Sequence, residues 1–193
     1  MEASKLGKLL IISAPSGAGK TTLVKYLLTA IESLHFSISA TSRPMRNGET
    51  NGKDYYFLSK EDFQQKIKEN AFLEWEEVYE GVFYGTLYSE VERITSLGYH
   101  VVFDVDVIGG LNIKKHYGSR SLCIFIQAPS IEVLADRLRK RCTDSDESIK
   151  KRIDKAASEM KFASQFDLIL VNDDLGKAKE DIVKKITKFI NEL

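Results

Sequence analysis

The residues with the most specific chemistry lie in one short stretch near the start of the chain. Residues 14–22, Ala-Pro-Ser-Gly-Ala-Gly-Lys-Thr-Thr, follow an apolar segment and precede a helical pattern. Gly17 and Gly19 permit backbone conformations that turn successive N–H groups toward one anion. Lys20 is placed to reach terminal phosphates, and the Thr21 hydroxyl is suited to Mg²⁺. The stretch predicts a P-loop that holds a nucleoside triphosphate.

The alternative is an ordinary strand–turn–helix connection that happens to contain glycine and lysine. The position of Gly19-Lys20-Thr21, directly between a strand and a helix, favours the phosphate site. Ala14 stands where the pattern G-x-x-x-x-G-K-[ST] has its first glycine, so we expect Ala14 to avoid positive φ. The predicted triphosphate-binding residues are Ala14, Pro15, Ser16, Gly17, Ala18, Gly19, Lys20, Thr21 and Thr22.

A second group of phosphate-binding side chains occurs in residues 41–54, a long aperiodic segment rich in turn residues. Such segments are usually functional or disordered. Arg43 and Arg46 offer planar forks for a phosphate, and Tyr55 adds a hydroxyl donor, which favours function. The three histidines are far apart in sequence and suggest no catalytic group. If this second group binds a nucleoside monophosphate that accepts a phosphoryl group, the acceptor phosphate is already anionic at pH 7. The reaction then needs no general base.

Asp104 and Asp106 follow the apolar segment 99–103. A carboxylate at the end of a buried strand is costly unless a metal or ligand pairs with it. The sequence leaves three roles open for this pair: holding Mg²⁺ through water, contacting the acceptor, or orienting arginines.

The composition sets the limits on fold and location. The 193 residues include 28 basic and 28 acidic side chains, so no overall charge favours nucleic acid or a membrane surface. We find no signal peptide or membrane-spanning pattern and expect a cytoplasmic protein. Two cysteines without metal spacing argue against disulfides or zinc.

Strands separated by helices after a P-loop predict an α/β fold with a parallel sheet. Residues 36–88 are richer in strands and break the alternation, so we interpret them as an inserted lobe. We predict a core of residues 1–35, 89–136 and 156–193, an inserted substrate-binding lobe of residues 36–88, and a helical segment of residues 137–155.

Several short motifs in this order give the chain a strong resemblance to the guanylate kinase family. They are the P-loop, Ser39-Ala-Thr-Ser-Arg-Pro-Met-Arg-Asn-Gly-Glu-Thr-Asn-Gly-Lys-Asp-Tyr55, Phe72-Leu-Glu-Trp75, Tyr84-Gly-Thr86, Asp104-Val-Asp106, Arg137-Leu-Arg-Lys-Arg141 and Val171-Asn-Asp-Asp174. Each is weak alone, but together they cover nearly the whole chain. The resemblance implies that ATP with Mg²⁺ phosphorylates GMP, with dGMP as a further expected acceptor. It also implies that residues 36–88 are a GMP-binding lobe, that residues 137–155 are a lid, and that both close to exclude water from ATP.

The resemblance also assigns roles to residues. It implies that Glu74, Ser39 and Thr86 read the guanine edge, and a carboxylate with hydroxyls does complement the N1–H, N2 amine and O6 of guanine. Without the resemblance, Glu74 would be interpreted as a solvated strand carboxylate. The implied acceptor-binding residues are Ser39, Arg43, Arg46, Tyr55, Glu74, Tyr84, Gly85, Thr86, Asp104 and Asp106.

Arginines of the lid are the implied catalytic groups. Arg137 and Arg141 are four residues apart and share a helix face, and Arg152 lies on the next helix. On composition alone this is a solvated basic face. By resemblance, Lys20, Arg46, Arg137, Arg141 and Arg152 stabilise the transferring phosphoryl group, and an arginine of this kind is worth about 10³–10⁵ in rate. Asn172 and Asp173 match the loop near the ATP base.

Four further points concern reactivity, alternative functions and assembly. Cys142, beside Arg141, is a candidate reactive thiol. A non-catalytic scaffold domain of the same family, which binds phosphopeptides, is disfavoured because the P-loop and lid arginines are intact. A sugar phosphate acceptor is disfavoured because it has no guanine edge. The sequence does not determine the oligomeric state.

Overall fold

The computed structural model describes residues 7–140 and 146–192. Arg141 and Cys142, two residues of the predicted lid, lie outside the described residues. The strands are β1 (Leu9–Ser13), β2 (Leu34–Phe36), β3 (Ala40–Thr41), β4 (Tyr56–Phe57), β5 (Phe72–Tyr79), β6 (Val82–Leu87), β7 (His100–Asp104), β8 (Ser121–Gln127) and β9 (Leu168–Val171). The α-helices are α1 (Lys20–Ala30), α2 (Lys60–Lys68), α3 (Tyr88–Thr95), α4 (Val107–Tyr117), α5 (Ile131–Arg139), α6 (Asp146–Met160) and α7 (Leu175–Asn191).

These strands form two sheets, as the α/β prediction requires. A five-stranded sheet has the order β2-β7-β1-β8-β9, in which β1, β8 and β9 run parallel. A four-stranded sheet has the order β4-β3-β6-β5 and is mainly antiparallel, although β3 and β4 pair in parallel. The predicted combination of a parallel core sheet and a strand-rich insertion is therefore confirmed.

The chain divides into two compact units. Of the described residues, the first contains Gly7 and residues 35–101, and the second contains residues 8–34, 102–140 and 146–192. The lobe predicted over residues 36–88 falls inside the first unit, which also includes α3. No helix among the described residues has the length and apolar character needed to cross a membrane.

The second unit is built around β1, whose five residues are all buried. A strand that is buried along its whole length is expected to be continuously apolar, and Leu9–Ile12 satisfies this. The side chains of Leu134 and Leu138 on α5 pack with Ala156 on α6, and all three are at most 1% exposed. This contact places the helix that carries Arg152 beside the helix that carries Arg137.

The first unit has its own aromatic core. The Phe63 ring of α2 lies 4.3 Å from Phe72 and 5.5 Å from Phe83, centroid to centroid, and Phe63 is fully buried. Ala40 and Leu87 complete the cluster. Helix α2 is thereby fixed against β5 and β6.

One predicted strand is wrong in detail. The pattern predicts a single strand over residues 36–40, but the chain forms β2 and then β3, which belong to different sheets. Between them the N–H of Ile38 donates to the carboxylate of Glu90 and not to a neighbouring strand. A side chain distant in sequence has replaced the strand partner, which no local pattern indicates.

The start of α2 gives a test of the local sequence signals. Ser59 is the N-cap, and its Oγ accepts from the N–H of Asp62 at 2.9 Å, as the Ser-x-x-Asp spacing predicts. We expect Ser59→Ala to lower the free energy of unfolding by about 1 kcal/mol, because one N–H at the helix start loses its partner. Urea unfolding measures this change. Ser59→Asp is the matched control, since aspartate also caps helices, and an equal loss in both variants would contradict the capping role.

Candidate active site

The P-loop in the second unit adopts the conformation that the sequence predicts. Gly17 and Gly19 have φ of +91° and +98°, which side-chain-bearing residues rarely adopt. Among the described residues, Asn70 is the one non-glycine with positive φ, so Ala14 occupies an ordinary backbone conformation as expected. The loop leads directly into α1, whose unpaired N–H groups favour anions.

Asn172, at the end of β9, braces this loop. Its side-chain amide donates to the carbonyl of Ala18 at 2.8 Å, and the residue is only 5% exposed. A Cβ on Gly19 would overlap the nitrogen of the same amide. Arg137 in turn donates to the backbone carbonyl of Asn172 at 2.9 Å. Asn172 thus contacts both the P-loop, through Ala18, and α5, through Arg137.

The P-loop lines a cavity of about 380 Å³ in the second unit. Three elements meet there: the loop itself, the segment after β7 and one face of α6. Lining residues predicted from the sequence are Ala14, Pro15, Ser16, Gly17, Gly19, Lys20, Thr21, Thr22, Asp104, Asp106 and Arg152. Ala18 is fully buried beneath the loop. The structure therefore brings together most of the predicted triphosphate site. Asp104 and Asp106, which the resemblance assigns to the acceptor, line the same cavity.

Lys20 is held by the end of β7. Its Nζ lies 2.6 Å from a carboxylate oxygen of Asp104 and donates to the carbonyl of Val105 at 3.0 Å. The two charged side chains are each about one-fifth exposed. Asp104 thus fixes the ammonium group in the cavity that the P-loop lines.

Asp106 is tied to α4 as well as to the cavity. Its carboxylate caps the helix by accepting from the N–H of Gly109 at 2.6 Å, and its carbonyl accepts from the Ser13 hydroxyl at 2.9 Å. The two residues that follow β7 are therefore fixed at the end of β1, where the P-loop begins.

Oxygen donors line this cavity in a way that suits Mg²⁺. The hydroxyl of Thr21 and the carboxylates of Asp104 and Asp106 are all hard ligands. Within the described ranges, no group of three or more histidine, cysteine, aspartate or glutamate residues could hold a metal alone. Mg²⁺ is commonly held by one or two carboxylates together with substrate phosphates, and this donor set fits that pattern.

Two cavity residues on α6 were not found from the sequence. Lys155 and Glu159 line the cavity with Arg152, at the 3- and 4-residue spacing of one helix face. Burial raises the pKa of Glu159, while the positive charges of Lys155 and Lys20 oppose that rise. The helical spacing from Arg152 was the signal that could have revealed them.

The predicted base loop lies in a neighbouring cavity of the second unit, of about 350 Å³. It is lined by Gly17, Gly19, Thr22, Arg137, Lys140, Asn172, Asp173 and Leu175. Arg137 therefore lines this second cavity together with Asn172 and Asp173. Arg152 lines the first cavity, with Lys20.

In the first unit, Arg43 is the centre of the predicted phosphate cluster. Its guanidinium lies 5.0 Å from the centre of the Tyr55 ring, and the rings of Tyr55 and Tyr84 are 5.9 Å apart. Glu49 binds both terminal nitrogens of Arg43, at 2.7 and 2.5 Å, and also accepts from the N–H of Arg46 at 2.8 Å. The structure thus brings Arg43, Tyr55 and Tyr84 together, whereas the Arg46 side chain is exposed.

Two of the three predicted base-reading residues, Glu74 and Thr86, meet across β5 and β6. Glu74 and Thr86 are cross-strand partners, and the Thr86 hydroxyl donates to the Glu74 carboxylate at 2.6 Å. Thr86 is 1% exposed. Gly85 is required here because a Cβ would lie 2.7 Å from the Glu74 carbonyl. Ser39 directly precedes β3 of the same sheet, and its carbonyl accepts from the N–H of Tyr56 at the start of β4.

Comparison with known proteins identifies the family. The sequence profile described as guanylate kinase matches residues 6–192. The chain belongs to the guanylate kinase family. The guanylate kinase of Porphyromonas gingivalis is 58% identical over 184 residues, which cover 95% of this chain and 98% of that protein. The guanylate kinase of Bacteroides thetaiotaomicron is 55% identical over 186 residues, covering 96% and 91%.

A solved structure agrees with the fold. The crystal structure of guanylate kinase from Anaplasma phagocytophilum has a TM-score of 0.75 and 28% identity, covering 97% of this chain and 88% of that one. The resemblance found in the motifs is therefore confirmed, and the chain is a nucleotide-binding ATP:GMP phosphotransferase of the guanylate kinase family. The roles of individual residues stay predictions.

Gly19 offers a test of the Asn172 brace. We expect Gly19→Ala to raise the KM for ATP by about tenfold or more, because the new Cβ displaces the amide that holds the P-loop. Gly98→Ala is the matched control, with φ of +81° and no atom of the described part of the chain within 4 Å of a new Cβ. Both variants carry the strain of positive φ, about 1–2 kcal/mol, so unfolding experiments should detect it in each. An unchanged KM for ATP in Gly19→Ala would contradict the brace.

Glu49 gives a pH-dependent prediction. Hydrogen bonds from the Arg43 side chain and the Arg46 N–H lower its pKa from 4.5 to about 2. A carboxylate whose pKa falls on folding stabilises the protein above its unfolded pKa, and this contribution is lost as pH falls toward 2. The melting temperature of the unsubstituted protein should exceed that of Glu49→Gln more at pH 7 than at pH 3. A difference that does not depend on pH would show that the pair contributes only through neutral hydrogen bonds.

Proposed function

We propose that the second unit binds ATP with Mg²⁺ on the P-loop, and that the first unit binds GMP on the hairpin of β5 and β6. The proposed reaction transfers the γ-phosphoryl group of ATP to the phosphate of GMP and yields ADP and GDP. The pairing of Glu74 with Thr86 is the observation that carries the acceptor assignment.

The guanine assignment follows from the donors and acceptors of this pair. Glu74 accepts from Thr86, and a carboxylate is an acceptor that complements the N1–H and N2 amine of guanine. Adenine would present an N1 lone pair to the carboxylate and has no N2 amine. Sites that leave a buried polar group unpaired with the wrong substrate discriminate by about 10⁴–10⁵. The pair is thus suited to select GMP.

The arrangement along β6 supports the same assignment. Tyr84 and Thr86 are two residues apart and therefore lie on one face of the strand, about 7 Å apart along it. Thr86 is beside the base-reading carboxylate, and Tyr84 is beside Tyr55 in the cluster that holds Arg43. One face of β6 thus carries Thr86 for the base and Tyr84 for the phosphate of a nucleoside monophosphate.

The reaction itself needs little proton transfer. The second pKa of a phosphate monoester is about 6, so GMP is already an anionic nucleophile at pH 7. Lys20, Arg46, Arg137, Arg141 and Arg152 are the proposed groups that hold and neutralise the transferring phosphoryl group. Mg²⁺, held through Thr21 with Asp104 or Asp106, would neutralise phosphate charge when it is bound. Use of dGMP and a cytoplasmic location stay predictions.

A coupled ADP-release assay tests the acceptor. We expect strong turnover with ATP, Mg²⁺ and GMP, and little with AMP, CMP or UMP. Glu74→Gln should lower kcat/KM for GMP by about 10²-fold or more, because its amide opposes the guanine donors with donors of its own.

Glu80→Gln is the matched control, an exposed carboxylate at the turn of the same hairpin. Equal turnover of all four nucleotides would contradict base reading by Glu74. Absence of turnover with GMP by folded protein would contradict the proposed reaction and direct the search to a phosphopeptide or another acceptor.

A further inference from the structure

Glu90, on α3, is a buried carboxylate outside the predicted site. Its side chain is 1% exposed. Burial raises the pKa of such a group, but hydrogen bonds from Arg93, the N–H of Ile38 and Tyr56 outweigh this and keep the pKa below its usual value. The carboxylate is therefore charged and fully enclosed, which is rare unless every oxygen is paired.

Four donors satisfy the two oxygens of Glu90. One oxygen accepts from the N–H of Ile38 at 3.1 Å and from Nη2 of Arg93 at 2.9 Å. The other accepts from the Tyr56 hydroxyl at 2.8 Å and from Nε of Arg93 at 2.9 Å. Arg93 is half exposed and supplies the balancing charge.

Two of these donors are immediate neighbours of predicted GMP-binding residues. Ile38 precedes Ser39, and Tyr56 follows Tyr55. The two segments are also joined directly, because the N–H of Tyr56 donates to the carbonyl of Ser39 at 2.9 Å. Glu90 therefore holds the backbone N–H of the residue before Ser39 and the hydroxyl of Tyr56, the residue after Tyr55.

A third segment of the predicted site is connected to the same group through the chain. Helix α3 begins at Tyr88, directly after β6, so Glu90 lies four residues beyond Thr86. One carboxylate thus links β6, the segment before β3 and the start of β4.

We propose that Glu90 is a positioning residue for GMP, which holds Ser39 and Tyr55 in the geometry that binds the acceptor. This inference rests on the proposed function, in which these residues contact GMP. A buried ion pair seldom adds much stability relative to apolar side chains of the same volume, so its presence fits a requirement for geometry.

Glu90→Gln keeps the shape of the side chain but turns an amide toward donors that need an acceptor. We expect the KM for GMP to rise about tenfold or more, while the KM for ATP stays within twofold, because small displacements of positioning groups weaken binding strongly. Tyr56→Phe removes a single donor and should raise the KM for GMP in the same direction by a smaller factor. Glu92→Gln, an exposed carboxylate on the same helix, is the matched control and should leave both KM values unchanged.

The steady-state kinetics with both substrates varied decide the matter. A selective rise in the KM for GMP in both Glu90→Gln and Tyr56→Phe supports positioning, and Tyr56→Phe alone decides if Glu90→Gln does not fold. An unchanged KM for GMP, or an equal rise in both KM values, would overturn the inference and leave the proposed function intact. Failure of the unsubstituted protein to use GMP would instead overturn the proposed function itself.

Discussion

The conformation of the P-loop is the constraint on which the second unit depends. A phosphate is bound by backbone N–H groups only if the loop turns them toward one point, and that requires positive φ at Gly17 and Gly19. Within the loop, the N–H of Ala18 donates to the carbonyl of Pro15 at 3.1 Å. The shape of the P-loop is also maintained from outside by the amide of Asn172. Leu134 and Leu138 lie close to Gly17, since a Cβ built on Gly17 would be 3.6 and 3.2 Å from their side chains. Residues far from the loop in sequence therefore preserve its geometry.

The polar groups of the predicted sites are held by carboxylates. Asp104 binds Lys20, Glu49 binds Arg43, and Glu74 accepts from Thr86. Each pairing fixes a flexible or rotating group in one orientation. Fixed charges and dipoles stabilise a transition state without the cost of reorganisation, so this arrangement suits phosphoryl transfer.

Local patterns in the sequence were enough to predict the P-loop, the apolar strand that precedes it, and the capped start of α2. In each case the determining residues are close in sequence: a glycine pair, an apolar run, or a serine three residues before an aspartate. The order of motifs along the chain was enough to indicate the family.

The contacts that support the site could not be predicted from local patterns in the sequence. Glu90 reaches Ile38 and Tyr56 across 52 and 34 residues, and Asn172 reaches Ala18 across 154. No periodicity connects such positions, so the sequence placed Asn172 only by resemblance and left Glu90 out. Lys155 and Glu159 were missed for a different reason. Their helical spacing places them on the same face as Arg152, but a charged helix face is usually exposed to solvent, so the spacing was not used.

The parallel pairing of β3 and β4 has a topological consequence for the segment between them. Two parallel neighbours cannot be joined by a tight turn, because the chain must return along the full length of the strands before the second one begins. Residues 42–55 make that return without a helix, and they carry Arg43, Arg46 and Glu49. The arginine-bearing segment is thus also the crossover connection between these two strands. A substitution of Arg43 or Arg46 changes a side chain of this connection and leaves the pairing of Ala40 with Tyr56 joined by the same length of chain.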